Sequence, residues 1–239
     1  MAMTLLEIVD RMCKRQGLTP PTAVTSSTDP QILQLWEFAN EILEDLTTRL
    51  NWTAQVYEAT FSSVAAYDQG SIFTIAPQGF QWIKDKSFWN RTTRLPVFGP
   101  LSSADWQEAL AVPFSGPWYR YRLEQNNLLI YPAPAAGQTY AFEYQSSGAV
   151  ANAAGTTISN YFQADTDICM LDGRLVLLGL RWKWRAEKGL PYQEHMRAYE
   201  AAVNDLAGND GTKKTISMAG DECNFKPGIF LPAGNWNLH

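Results

Sequence analysis

Histidine is scarce in this sequence: the 239 residues include only two, His195 and His239. A Ser-His-Asp or Cys-His catalytic site would have to be built on His195, because a terminal residue is a poor support for a rigid base. A surface or interface histidine is the favoured interpretation of His195. No pair of glycines has the spacing of a nucleotide-binding loop. We therefore predict no catalytic residue and no cofactor.

Cysteine is nearly as sparse. Cys13, Cys169 and Cys223 are far apart and odd in number, which indicates free thiols in a reducing compartment rather than a disulfide framework or a zinc site. Asp165 and Asp167 are candidate ligands for a hard cation, but both precede a periodic apolar run, where acids commonly cap helices. We predict helix capping at these acids and no metal site.

Long apolar runs and an excess of positive charge are also missing. The best apolar stretch, residues 175–180, is followed by Arg181-Trp182-Lys183 and is too short to span a membrane. Glu7 and Asp10 stand where a signal peptide would carry basic residues. The formal net charge is −5, whereas a dedicated nucleic-acid binder is normally basic. We expect a protein that assembles in the cytoplasm and has no membrane partner.

Aromatic residues, in contrast, are abundant, with nine Trp, ten Tyr and eleven Phe. This content is typical of a large core and of buried interfaces. Stacking of tryptophans on sugars offers an alternative function, a carbohydrate-binding tail module; the candidates are Trp52, Trp82, Trp89, Trp106 and Trp118. A further alternative is a hydrolase that uses the carboxylates of Glu124 and Glu143, although no local pattern supports it.

Helical periodicity frames a β-rich middle of the chain. Asp29-Pro30 combines an N-cap acceptor with proline at the first helical position, ahead of a long amphipathic helix. Beyond residue 53, β-branched and aromatic residues alternate with polar ones. We predict an α+β fold with a four-helix bundle from residues 1–52 and 158–212, an inserted antiparallel β domain at 53–157 and an extended C-terminal tail at 213–239.

The densest run of charge lies at the end of a predicted helix in the last helical block. Arg174, Arg181 and Arg185 share one helical face. Trp182 continues the apolar face of this helix, so we expect it in the core and Trp184 at an outer surface. Basic residues near a helix C-terminus also favour the helix dipole, which is an equally good interpretation. The functional interpretation assigns Arg181, Trp184 and Arg185 to partner binding.

The last part of the sequence, residues 221–239, has no periodicity but carries large apolar residues. A solvated tail would not retain such side chains. We therefore predict that Phe225, Phe230 and Trp236 anchor this segment on a partner.

An ordered set of short segments points to a family. The segments are Leu95–Ser102, Asp105–Gln107, Tyr121–Leu123, Leu128–Pro134, Phe142–Tyr144, Phe162–Asp167, Leu178–Trp184 and Lys188–Tyr192. In this order and spacing the chain resembles the head-to-tail adaptor, or connector, family of short-tailed bacteriophages, which is related in role to the tail tubular protein A group. The resemblance covers roughly residues 1–218 and leaves the C-terminal tail outside.

The resemblance implies a structural protein of the virion neck. Such adaptors assemble as a ring, expected to be a dodecamer, that binds the portal protein above and the tail nozzle protein below. For the anchors in residues 221–239 the portal is then the favoured partner, and a neighbouring copy of the chain is the second choice. Double-stranded DNA passes through the lumen, with non-specific contact only. A heterologous interface on every subunit suits an aromatic-rich chain without catalytic residues, and an acidic subunit would not grip the DNA backbone.

Overall fold

The computed structural model describes residues 2–112 and 118–210. The helices are α1 (Leu5–Gln16), α2 (Pro30–Arg49), α3 (Ile72–Ile75), α4 (Ser103–Ala111), α5 (Gly173–Glu187) and α6 (Gln193–Asn209). The strands are β1 (Val56–Ser62), β2 (Asp68–Ser71), β3 (Phe80–Ile83), β4 (Trp89–Asn90), β5 (Leu95–Phe98), β6 (Tyr119–Glu124), β7 (Asn127–Tyr131), β8 (Thr139–Ser146), β9 (Val150–Ala151), β10 (Ile158–Ser159) and β11 (Ile168–Cys169).

The first two helices begin and end at strong local signals. A reciprocal capping box between Thr4 and Glu7 starts α1, and Gly17 ends it in the left-handed conformation with φ 72°. The side chain of Asp29 accepts a hydrogen bond from the Gln31 amide, and Pro30 occupies the first position of α2. The prediction of a helix behind Asp29-Pro30 is confirmed.

Four helices bury their apolar faces in one cluster. Side chains of α1, α2, α5 and α6 meet there, with Leu35, Leu43 and Leu180 fully buried. Helix α5 crosses α2 at Gly179, where an added Cβ would lie 2.8 Å from Cγ2 of Ile42. The absence of a side chain at residue 179 therefore sets the distance of closest approach of these two helices.

A large sheet forms the second core. Seven strands follow the order β1-β8-β4-β5-β6-β7-β2, and β3 also pairs with β8. The β5–β6 pair is parallel, whereas the other pairs in this sheet are antiparallel. The sheet curls, because β1 at one end of this order and β7, next to the other end, contribute side chains to one aromatic-rich cluster. Helix α4 covers the opposite face of β7 through Trp106 and Tyr131.

The predicted fold class, a four-helix bundle with an inserted antiparallel β domain and an extended tail, is wrong. The dominant element is the curled, mixed, eight-stranded sheet. A second sheet, β10-β9-β11, contributes Val150 and Cys169 to the helical core, and the amide of Cys169 donates to the carbonyl of Met3 just before α1. Within the segment predicted as an antiparallel β domain, residues 72–75 form the short helix α3. The proposed domain boundaries stay a prediction.

The two candidate cation ligands bind backbone amides. Asp165 accepts from the amides of Val24 and Thr25 at 3.0 and 2.8 Å, and Asp167 accepts from two amides of its own loop. The prediction that one of them caps α5 is wrong, because the N-cap of α5 is Asp172. The two acids hold loops together, since a carboxylate is a strong acceptor for otherwise unpaired N–H groups.

We expect Asp165→Ala to lower the free energy of unfolding by about 1–3 kcal/mol at pH 7, because the amides of Val24 and Thr25 lose their acceptor. Burial opposes ionisation, but the hydrogen bonds from Thr25 and Val24 outweigh it and lower the pKa of Asp165 below its usual 3.8. The ionised carboxylate of Asp165 therefore stabilises the fold fully at pH values well above 3.8. This contribution is lost as the pH falls through the folded-state pKa.

Urea unfolding of the wild type and of Asp165→Ala between pH 7 and pH 3 tests this expectation. Asp165→Asn is the matched control, because its carbonyl oxygen retains one acceptor without the charge. A difference between the wild type and Asp165→Ala that stays constant down to pH 3 would contradict the role of the ionised carboxylate.

Candidate partner-binding surface

Three arginines form the outward face of α5. Successive helical residues turn by about 100°, so Arg174, Arg181 and Arg185 lie within about 40° of one another. Lys183 lies on the opposite side of the helix, where its Nζ bonds Glu41 of α2 at 2.7 Å. The arginine face therefore points away from α2. The prediction of a shared face for these arginines agrees with this placement.

The guanidinium groups of Arg181 and Arg185 have few hydrogen-bond acceptors and no acidic partner within the described residues. Arg185 Nε donates to the carbonyl of Pro191 at 2.9 Å. Arg181 Nε is buried and has no acceptor among the residues that the structure describes. Within those residues neither arginine forms an ion pair. The charges of Arg181 and Arg185 are therefore not neutralised within the described part of the subunit, and an acidic partner would complement them.

His195 of α6 lies beside the same arginines. Partial burial and the nearby charges of Arg181 and Arg185 lower the pKa of His195, against the opposing charge of Glu194. A lowered pKa favours the neutral imidazole, so His195 extends this surface as a polar rather than a charged group. We call Arg174, Arg181, Arg185 and His195 the basic face.

The two tryptophans of α5 are placed the opposite way to the prediction. Trp184 is buried, with 8% of its surface exposed, and packs in the helical core. Trp182 is half-buried, and the centroid of its ring lies 6.3 Å from that of Tyr199. The expectation that Trp184 faces outward was wrong because the buried side of α5 is centred on Leu177 and Leu180, not on Leu178. Partner binding by Trp184 stays an untested prediction.

An acidic surface lies on the exposed side of α2. Glu37, Glu41 and Glu44 recur at helical spacing and are exposed. They line a groove of about 610 Å³ whose other wall includes Gln81 and Tyr161. Oε1 of Gln81 is buried without a donor among the described residues. We call this the acidic groove. The sequence predicts an amphipathic helix here but gives no sign of the groove, because its other wall comes from distant segments.

The outer face of the large sheet carries the exposed tryptophans. Trp82 and Trp89 are 40% and 38% exposed, and both flank β8. Trp89 lines a cavity of about 660 Å³ together with Arg94 and Glu143. Of the other tryptophans proposed to stack on sugars, Trp52 and Trp106 are buried, and Trp118 is half-buried.

The carboxylates suggested for a hydrolase are not brought together. Glu124 lies at the end of β6 and Glu143 on β8, and strands β4 and β5 lie between these two strands in the sheet. Instead Glu143 stands opposite Glu58 in the β1–β8 register, and Arg91 pairs with Glu58. This arrangement gives no support to an acid pair built from Glu124 and Glu143.

The predicted anchors of the C-terminal tail, Phe225, Phe230 and Trp236, lie outside the described residues. Their assignment to partner binding stays a prediction. Within residues 2–112 and 118–210, no three His, Cys, Asp or Glu side chains are grouped so that they could hold a metal ion. In the same residues no helix has the length and apolar character needed to cross a membrane.

Comparison with known proteins identifies the family. The model of the SU10 adaptor protein family matches residues 3–219, which is most of the chain. No curated protein matches the sequence. The match includes the helical core, the large sheet and both charged surfaces, so it is not confined to one motif. The chain belongs to the SU10 adaptor protein family, a family of bacteriophage adaptors.

Proposed function

We propose that this protein is a head-to-tail adaptor that forms a ring between the portal protein and the tail nozzle protein. The observation that carries the proposal is the family match over residues 3–219, which makes the chain a component of a phage virion. The scarcity of histidine, with His195 as the one internal histidine of the sequence, fits a structural role. We propose that the chain acts by binding neighbours and carries out no catalysis.

The surfaces of the subunit support assembly with other proteins. The basic face contains arginines without ion-pair partners in the described residues, and the acidic groove lies elsewhere on the same helical core. A ring needs two different surfaces on each subunit, one for each neighbour. The net charge of −5 is consistent with DNA that slides through the ring, because tight binding of phosphates requires a basic lining.

Electron microscopy and native mass spectrometry of the full chain test this function. We expect rings, formed by the chain alone or when the portal protein of the same virus is added. The expected subunit number is twelve, and the ring is expected to bind the tail nozzle protein on the side away from the portal. A chain that stays monomeric with and without the portal would contradict the proposal.

A carbohydrate-binding function is the alternative, and the exposure of Trp82 and Trp89 is the observation in its favour. An array of bacterial surface glycans distinguishes the two functions. We expect no binding by the isolated chain. Binding that is lost in Trp89→Ala and kept in Trp106→Phe would support the alternative instead, because Trp106 is buried between α4 and β7.

A further inference from the structure

The basic face and the acidic groove are complementary in charge. The basic face presents the guanidinium groups of Arg174, Arg181 and Arg185, and neither Arg181 nor Arg185 forms an ion pair among the described residues. The acidic groove presents the exposed carboxylates of Glu37 and Glu44. Each surface therefore carries the charge that the other would pair with.

The two surfaces cannot meet within one subunit. Glu41 bonds Lys183 on the α2 side of α5, and the basic face lies on the other side of that helix. On α2, Glu37 and Glu44 lie more than 100° around the helix from Ile42, which contacts α5 at Gly179. The two surfaces thus point in different directions from one rigid helical core.

We infer that the basic face of one copy of this chain docks in the acidic groove of a second copy. The inference rests on the proposed function, because it requires that copies assemble. Two different surfaces that are complementary to each other form a heterologous contact, which repeats from copy to copy and closes into a ring when the rotation permits. Charged groups at such an interface set the register and the choice of partner.

The interface should respond to salt and to charge reversal. Partly exposed charges are screened at high ionic strength, so assembly should weaken as sodium chloride is raised. In the double variant Arg181→Glu, Arg185→Glu, the subunit concentration needed for assembly should rise at least tenfold, because like charges then face each other. Glu37→Arg with Glu44→Arg should have the same effect for the same reason. Glu41 is left unchanged, since it pairs with Lys183.

The decisive variant combines all four substitutions in one chain. Both surfaces are then reversed, so complementarity between copies returns and assembly should recover towards the wild-type level. Arg11→Glu with Arg15→Glu is the matched control, because both residues are exposed on α1 and the change in net charge is the same as for Arg181 and Arg185. This control should assemble like the wild type. Mass photometry of the full chain, with or without the portal, measures each variant.

The outcomes separate the inference from the proposed function. Recovery in the fourfold variant supports this interface. The interface is overturned if the Arg181→Glu, Arg185→Glu variant assembles as well as the wild type, or if the fourfold variant does not recover. Either result leaves the proposed adaptor function intact. Absence of assembly by the wild type overturns both. Circular dichroism verifies that each variant folds, and the neutral pair Arg181→Gln and Arg185→Gln replaces the charge-reversed pair if that pair does not fold.

Discussion

Phe88→Ala is expected to lower the free energy of unfolding by about 3–5 kcal/mol, the usual cost of removing a buried aromatic ring from a packed core. Phe88 is 2% exposed and lies at the centre of the sheet's aromatic cluster. Its ring centroid lies 5.1 to 6.4 Å from those of four other rings, Phe61, Tyr121, Tyr140 and Phe142. Aromatic pairs at these distances add to the stability gained from burial alone.

Urea unfolding followed by circular dichroism measures the loss. Phe73→Ala is the matched control, because it is the same chemical change at a side chain that is 51% exposed. The control should change the free energy of unfolding by no more than about 0.5 kcal/mol. Equal losses in the two variants would show that the cluster around Phe88 does not form the core of the sheet.

Trp184→Ala is expected to cost about 3–5 kcal/mol and to exceed the loss caused by Trp182→Ala. The indole of Trp184 is buried in the helical core, whereas Trp182 is half-buried against Tyr199. The Nε1 donor of Trp184 has no acceptor among the described residues. Packing, rather than a hydrogen bond, is therefore what the alanine removes.

Trp184→Phe isolates the packing contribution. Phenylalanine keeps most of the buried aromatic surface and removes a buried N–H group without an acceptor, whose desolvation is unfavourable. We expect this variant to lose much less stability than Trp184→Ala, and Trp89→Ala to lose little because that ring is 38% exposed. Thermal and urea unfolding of the isolated chain provide the comparison. A larger loss in Trp182→Ala than in Trp184→Ala would reverse the assignment.

Local features of the fold were predictable because they depend on neighbours in sequence. The hairpin of β6 and β7 is an example: its two turn residues, Gln125 and Asn126, take positive φ angles of 47° and 64°. This conformation closes a two-residue turn between antiparallel strands. Helix α2 was predictable for the same reason, because Asp29 and Pro30 act within one turn of its start.

The candidate surface was predictable in part. Arg174, Arg181 and Arg185 share a face in any regular helix, so their spacing was sufficient. The side of α5 that is buried was not predictable, because apolar residues continue around the helix from Val176 to Leu178. Packing of the helices into one core buried Leu177 and Leu180 and placed Trp184 inside.

The sequence alone determined where the helices start and which residues share a helical face. It also carried a resemblance to phage head-to-tail adaptors, and the family match confirms that the chain belongs to a phage adaptor family. Tertiary structure alone decided that β5 and β6 pair in parallel, that β8 lies between β1 and β4, and that acids of α2 line a groove with Gln81 and Tyr161. The physical reason is range: capping and helical periodicity act over a few residues, whereas strand order and grooves depend on contacts between segments far apart in the chain.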